Sequence, residues 1–333
     1  MNTPIPVTLI TGFLGAGKTT LLNHLLETDE SRQFAVIENE FGGVGIDGLR
    51  VRQPSETLFE LNGGCVCCSV RSDLLAALHE IAAQKTRFDH VIIETTGLAE
   101  PAPVLRLFER ADIRSAFTLD GVVTVVDGMH LQQSLAEVTA CLEQLIYADL
   151  IMINKADLLV DQRLSVLEKE IRQINPLATV ERAQFGQIDL PLVLEMGGAT
   201  GGKGIESLHP TDPDSHSHDE GIKAIGLEAK GNVNLEALDY WLGDLVRRRE
   251  ANVLRMKGMI AVQEDERSFV FNGVRDIVDV KPDRLWGEQK RVCKLVFIGR
   301  GLDRRVLQQG LDSCMANPSE EITEYRPTQT PSC

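Results

Sequence analysis

The chain has 333 residues, 43% of them hydrophobic and 25% charged, which is enough apolar matter for two packed cores and excludes a disordered polymer. Its formal net charge of −15 opposes a phosphate backbone or an anionic lipid surface, so neither nucleic acid nor membrane is an expected partner. No run approaches the roughly 20 apolar residues of a membrane span, and the start at Met1 has no basic stretch before an apolar core, so a cytoplasmic location is expected.

Val7-Thr8-Leu9-Ile10 is an apolar run that predicts a buried strand. Directly after it stands Gly12-Phe13-Leu14-Gly15-Ala16-Gly17-Lys18-Thr19, a complete G-x-x-x-x-G-K-T, followed from Thr19 to Leu26 by leucines at helical spacing. Strand, glycine loop and helix in that order make a phosphate cradle. The backbone amides of Gly12, Gly15, Ala16, Gly17 and Thr20 are placed to face phosphate, and the helix N-terminus adds its dipole. Lys18 reaches the β and γ oxygens, and the Thr19 hydroxyl ligates Mg²⁺. The plain alternative is a glycine turn that merely precedes a helix; the Gly-Lys-Thr ending argues against it.

A second strand, Phe34 to Ile37, runs into Glu38-Asn39-Glu40-Phe41-Gly42. Glu38 is a candidate metal ligand and nucleotide sensor, against the alternative of a solvated acidic loop end. Farther on, Cys65-Val66-Cys67-Cys68 puts three thiols within four residues, beside Gly63-Gly64 and before a helix that begins near Asp73. Thiolates so placed suit soft or borderline cations, and three leave one tetrahedral position for a carboxylate, water or partner ligand. Buried inert cysteines and a redox pair are the competing readings. Cys141, Cys293, Cys314 and Cys333 lie far apart, unlike a disulfide framework, which indicates a reducing compartment.

The next strand, His90 to Ile93, ends in Glu94-Thr95-Thr96-Gly97. Where a P-loop protein carries its Mg²⁺-linked acid, Glu94 is expected to stand near Mg²⁺ or to position water, and the Gly97 amide to face the γ-phosphate. A solvated strand end is the alternative. No glutamine or arginine declares itself as a catalytic partner, so unassisted hydrolysis is expected to be slow; Arg71 is a candidate, with a surface arginine the plainer reading.

A strand at Val122 to Val126 and one predicted helix from Leu131 to Tyr147 lead to the strand Leu150 to Ile153 and then to Asn154-Lys155-Ala156-Asp157. At the carboxyl edge of a parallel sheet this tetrapeptide reads guanine. Asp157 accepts from ring N1–H and the exocyclic amine, Asn154 contacts the base edge, and the stem of Lys155 lies across the ring. Adenine would leave Asp157 unpaired. The alternation predicts an α/β, doubly wound, mostly parallel sheet with helices on both faces over residues 1–196.

Residues 197–220 are rich in Gly, Pro, Asp and Ser, which predicts a linker. His209, His216 and His218 fall in it and read as plain linker rather than ligands, while His24, His79, His90 and His130 read as packing or surface residues. Beyond it come a strand at Ile222 to Leu227, a helix from about Leu235, strands at Val253 to Val262, Phe269 to Phe271 and Val292 to Ile298, and a helix from Asp303, a smaller α+β unit over 221–333.

Val7 to Thr20, Ala35 to Gly42, Asn62 to Ser69, Ile93 to Pro101 and Asn154 to Asp157 together resemble the CobW-type metallochaperone GTPases, close in spacing to their YjiA-like members. Leu254 to Gly258, Trp286-Gly287 and Leu295 to Arg300 resemble that family's C-terminal domain. The resemblance implies GTP hydrolysis, binding of Zn²⁺ or Co²⁺ at Cys65, Cys67 and Cys68, and delivery to an apo-form client metalloprotein; homo-oligomerisation is compatible with it. It implicates Glu38, Cys67 and Cys68 in metal binding. A further family glutamate is replaced here by Gly43. Two other readings are a P-loop phosphotransferase with a structural metal knot, and a non-catalytic metal sensor or storage protein.

Overall fold

The computed structural model describes residues 3–38, 57–60, 69–197, 221–247, 252–275 and 277–316. The cysteine motif, residues 198–220 and the histidines His209, His216 and His218 lie outside these, as does the side chain of Arg71.

The N-terminal unit alternates strand and helix: β1 (Ile5–Thr11), α1 (Lys18–Thr28), β2 (Phe34–Glu38), β3 (Thr57–Glu60), α2 (Ser69–Ala83), β4 (His90–Glu94), α3 (Ala102–Leu105), α4 (Ala111–Arg114), β5 (Phe117–Asp127), α5 (Leu131–Glu137), α6 (Thr139–Tyr147), β6 (Leu150–Asn154), α7 (Asp161–Ile174), β7 (Thr179–Arg182) and α8 (Leu190–Leu194). Its described strands pair in the order β3-β2-β4-β1-β5-β6-β7. Every pairing is parallel.

Strands buried on both faces read as continuous apolar runs, and β2 and β6 are apolar through their centres for that reason, as is β1 apart from the buried Thr8. One face packs on Leu21, Leu22 and Leu25 of α1 with Val193 of α8. The other packs on α2, α6 and α7 through Leu78, Leu145 and Leu167.

The helix expected from Leu131 to Tyr147 is two. Val138 is extended (φ −137°, ψ 112°) and separates α5 from α6. The β-branched pair Val138-Thr139 disfavours continuation, and the break turns α6 against both the sheet and the C-terminal unit.

That unit contains β8 (Ile222–Lys230), α9 (Leu235–Arg247), β9 (Asn252–Ala261), β10 (Arg267–Val274), β11 (Ile277–Leu285), β12 (Val292–Arg300) and α10 (Arg304–Ser313). Its antiparallel sheet runs β11-β10-β9-β12-β8. Side chains alternate along β9 and β12. Val253 and Phe297 pack with Leu238 and Leu242 of α9 and Leu307 of α10, whereas Leu254, Val296 and Ile298 join the core that contains α6 and α7. Both faces are therefore covered, and the second layer is shared with the N-terminal unit. In that shared layer Arg255, only 1% exposed, donates from Nη2 to Asp149 Oδ1. Lys257 Nζ stands 3.8 Å from the same oxygen, and burial lowers its pKa against the opposing pull of Asp149. Among the described residues, no helix is long and apolar enough to cross a membrane.

Candidate nucleotide and metal site

The functional residues converge on the carboxyl edge of the parallel sheet. Between β1 and α1 the loop holds Gly12, Gly15 and Gly17 at φ 136°, 71° and 104°. A Cβ on Gly12 would stand 2.0 Å from the carbonyl oxygen of Val125, so no other residue fits there. Gly17 caps α1, whose first turn carries no acid, leaving the positive end of the helix dipole uncompensated for an anion. Ala16 is fully buried, and Thr20 is exposed on the first turn.

Lys18 is 8% exposed and its Nζ donates to Phe13 O at 3.2 Å, folded along the loop it serves. Burial lowers its pKa, with the charge of Glu94 opposing. The Thr19 hydroxyl donates to Glu94 Oε1 at 3.0 Å. A hydroxyl and a carboxylate brought together from facing elements are the all-oxygen donor pair that a hard cation takes, so these residues fit Mg²⁺. After Glu94 the chain stays tied to β1, with Thr95 N donating to Ile10 O and Thr95 Oγ1 to Thr11 Oγ1, both at 3.0 Å. It then turns at Gly97, where a Cβ would lie 2.5 Å from the Leu14 amide nitrogen. The acid-to-glycine segment thus rests on the phosphate loop itself.

At the end of β6, Asn154 is 2% exposed. Its Nδ2 donates to Ala16 O at 2.9 Å and its Oδ1 accepts from the Gly186 amide at 3.1 Å. Both ends of the side chain thereby hold two loops together, and each keeps one further hydrogen-bonding site. Lys155 is left-handed (φ 59°), and its Nζ donates to Asp127 Oδ2 at 2.7 Å. Burial alone would raise the Asp127 carboxyl. Hydrogen bonds from Lys155, His130 and the Met129 amide outweigh it and hold the group below its ordinary value. Asp157 sits on a 3₁₀ turn (Ala156–Leu158) with its carboxylate exposed, and the Ala156 amide of that turn donates to Ala183 O at 3.0 Å.

Sequence reading missed Asp127 and the Ala183–Gly186 loop. Asp127 had a signal, an acid closing a buried strand at the sheet edge. The loop is recognisable only through its partners, Asn154 and Ala156.

Glu38 ends β2 and is 7% exposed. It is the register partner of Glu94 on β4 and of Glu60 on β3. Among the described residues, no group of three or more His, Cys, Asp or Glu forms a metal site. Three other thiols are described. All three are buried, and burial pushes Cys141 and Cys293 up to about 11 and raises Cys314, so they pack as neutral thiols. Among the described residues, the histidines take packing or surface positions, as expected. His90 is buried with Nε2 2.9 Å from Thr8 Oγ1, while His79 is exposed beside Asp112 and His130 beside Asp127.

Residues 6–182 match the nucleotide-binding domain of the CobW/HypB/UreG family, and residues 222–315 match the C-terminal domain of the cobalamin synthesis protein CobW. The chain is 33% identical to the zinc chaperone YjiA of Escherichia coli over 89% of its own length and 94% of the relative's. It is 35% identical to the zinc chaperone CobW of Pseudomonas aeruginosa, over 94% and 92%. It is 31% identical to the zinc-regulated GTPase metalloprotein activator 1 of Schizosaccharomyces pombe, over 90% and 84%. The crystal structure of Zn(II)-bound E. coli YjiA GTPase superposes with a TM-score of 0.69 at 28% identity, covering 95% of this chain and all of that one. With its phosphate loop, its guanine-type loop and both domain matches in place, the chain belongs to the CobW/HypB/UreG family of P-loop nucleotide-binding proteins, in the branch that carries the CobW C-terminal domain.

Proposed function

We propose that this chain is a GTPase that works as a metal chaperone, taking Zn²⁺ or Co²⁺ as cargo on Cys65, Cys67, Cys68 and Glu38 and handing it to an apo-metalloprotein. The GTPase half rests on the phosphate loop, the exposed Asp157 behind the buried Asn154, and relatives whose names include a YjiA GTPase and a zinc-regulated GTPase. In that role Lys18 and the loop amides neutralise the β and γ oxygens, and Thr19 and Glu94 hold Mg²⁺, which supplies charge stabilisation at the phosphates when bound. Asp157 selects guanine, with Lys155 lying over the ring and steadied at its tip by Asp127.

One observation carries the coupling: Glu38 and Glu94 are register partners on adjacent parallel strands, which lie about 4.8 Å apart. A carboxylate that helps hold cargo thus neighbours one that helps hold the nucleotide's cation. A change in charge or position at one is felt at the other with little screening, since Glu38 is buried. Binding energies so linked are reciprocal, and GTP and cargo alter each other's affinity by the same factor. Three thiolates without a fourth protein sulfur leave the cargo exchangeable, as delivery requires.

The test is a competition titration of Zn²⁺ on protein loaded with GDP and with a non-hydrolysable GTP analogue, in the natural chain and in Cys67→Ala and Glu38→Ala. The expected result is a nucleotide-dependent zinc affinity of at least about fivefold that Glu38→Ala flattens. Equal zinc affinities in the two loaded states would leave a GTPase and remove the chaperone cycle.

A further inference from the structure

Helix α6 carries a buried glutamine in the middle of an apolar run, Cys141-Leu142-Glu143-Gln144-Leu145-Ile146-Tyr147. Gln144 is 1% exposed. Its Nε2 donates to Gly97 O and to Ala99 O, each at 3.1 Å, and its main-chain carbonyl accepts from Thr124 Oγ1 at 2.7 Å. The turn closed by the Ala99 amide on Thr96 O is therefore held from two sides, by the phosphate loop at Leu14 and by Gln144. Fixing the carbonyls of a turn fixes the planes of its peptides, and with them the direction of the amide that follows each one.

The same helix reaches the C-terminal unit one residue before this contact, at Glu143, and three residues after it, at Tyr147. Arg275, at the turn between β10 and β11, donates from Nε to Tyr147 Oη at 2.6 Å, sits 5.8 Å from the centre of that ring, and has Nη2 3.8 Å from Glu143 Oε1. Arg275 is left-handed (φ 54°), as a tight turn between β10 and β11 requires, and the turn presents its side chain to α6. Tyr147 is fully buried, and burial pushes its phenol up to about 12, so it stays a neutral partner throughout the physiological range.

We propose that Gln144 is a positioning residue for GTP hydrolysis, setting the Gly97 turn against the phosphate loop, and that α6 couples this turn to the C-terminal unit through Arg275. The inference rests on the reading of Gly97 as the γ-phosphate contact. A rigid nine-residue helix held at one face by the turn and at the next by Arg275 cannot shift at one without loading the other. The C-terminal unit then senses whether the turn has closed on a γ-phosphate.

The test uses the full chain and reads turnover and KM for GTP beside the affinities for GDP and a non-hydrolysable GTP analogue. Gln144→Met keeps the volume and removes both donors. It is expected to lower kcat about tenfold and to weaken the analogue, while GDP affinity holds within about twofold. Gln144→His restores one ring donor and should recover part of the rate. Arg275→Met is expected to lower kcat in the same direction, and combining it with Gln144→Met to add no further loss. Weakening of GDP and analogue alike by Gln144→Met, or full additivity in the double variant, overturns the proposal. So does wild-type GTP kinetics in Arg275→Met, which decides the matter even if the Gln144 variants fail to fold. Gly97→Ala checks the underlying reading separately. Unchanged preference for the analogue over GDP in that variant removes the γ-phosphate role of Gly97, whereas its loss there together with its retention in Gln144→Met removes the positioning role alone.

Discussion

The side-chain amide of Asn154 donates to the carbonyl of Ala16 at 2.9 Å, and so fastens the loop after β6, where the proposed base contacts lie, to the phosphate loop. A Cβ on the adjacent Gly17 would stand 2.3 Å from that same amide nitrogen, which is why a glycine closes the loop at this point. The base and phosphate halves of the site are one rigid body because of this contact. Asn154→Ala leaves the Ala16 carbonyl and the Gly186 amide buried without this partner, at a cost of about 1–3 kcal/mol. GDP and GTP affinities should fall together by about ten- to a hundredfold. Fluorescent-nucleotide titration checks this, and unchanged affinity would show that the cradle keeps its shape without the tie.

In the proposed GTP site, base choice rests on Asp157. There its carboxylate would accept from the guanine N1–H and 2-amine, and an amide in its place would present a donor where the amine stands. Asp157→Asn is expected to weaken GTP by about a hundredfold and to favour xanthosine triphosphate, which carries an oxygen at that ring position. Retained guanine preference in a competition between the two triphosphates would move base recognition elsewhere.

His90 predicts an acid-side loss of stability. Burial, with help from the charge of Arg32, lowers its pKa from 6.5 to about 4 in the folded chain. Between those two values the unfolded chain binds more protons than the folded one. The contribution is therefore complete above pH 6.5 and is lost as the pH falls towards 4, at no more than about 1.4 kcal/mol per pH unit. His90→Gln keeps a partner for Thr8 without the titration. Thermal midpoints measured from pH 7 to 4 should fall more steeply in the natural chain than in the variant; parallel curves would exclude His90 as a source of the slope.

The two units are joined by a buried ion pair, Arg255 with Asp149, where Asp149 also accepts from the Val122 amide at 3.1 Å. Among the described residues, Arg255 Nε and Nη1 find no hydrogen-bond partner in this core, so the guanidinium is incompletely satisfied there and its net worth is small. Breaking the pair is another matter. Arg255→Met should destabilise by up to about 3 kcal/mol, because the part-buried Asp149 is then left with Lys257 as its nearest cation. The double variant Asp149→Asn with Arg255→Met should recover part of that loss. Denaturant melts of the four proteins give the coupling, and simple additivity of the singles would show that the pair is not an energetic link.

How far the site was legible depended on distance along the chain. Gly12 to Thr20, Glu94 to Gly97 and Asn154 to Asp157 each lie within a few residues of a strand end, and their geometry follows from local backbone sterics and strand–loop–helix order. Gln144, Asp127 and Arg255 gave only the faint signal of a polar residue in an apolar run. Each acts on a partner from another element, Gly97, Lys155 and Asp149 in turn. The break at Val138 was missed because the leucine spacing continues across it.

The sequence by itself determined the nucleotide chemistry, the parallel α/β unit and the thiol cluster, because spacing, periodicity and side-chain type carry those directly. Tertiary structure decided what stands beside what. Placing β4 between β1 and β2 sets Glu38 level with Glu94, and folding α6 between sheet and C-terminal unit gives Gln144 and Arg275 a common helix. Strand order and helix docking are settled by the burial of whole faces summed over many residues, a quantity that no single motif contains.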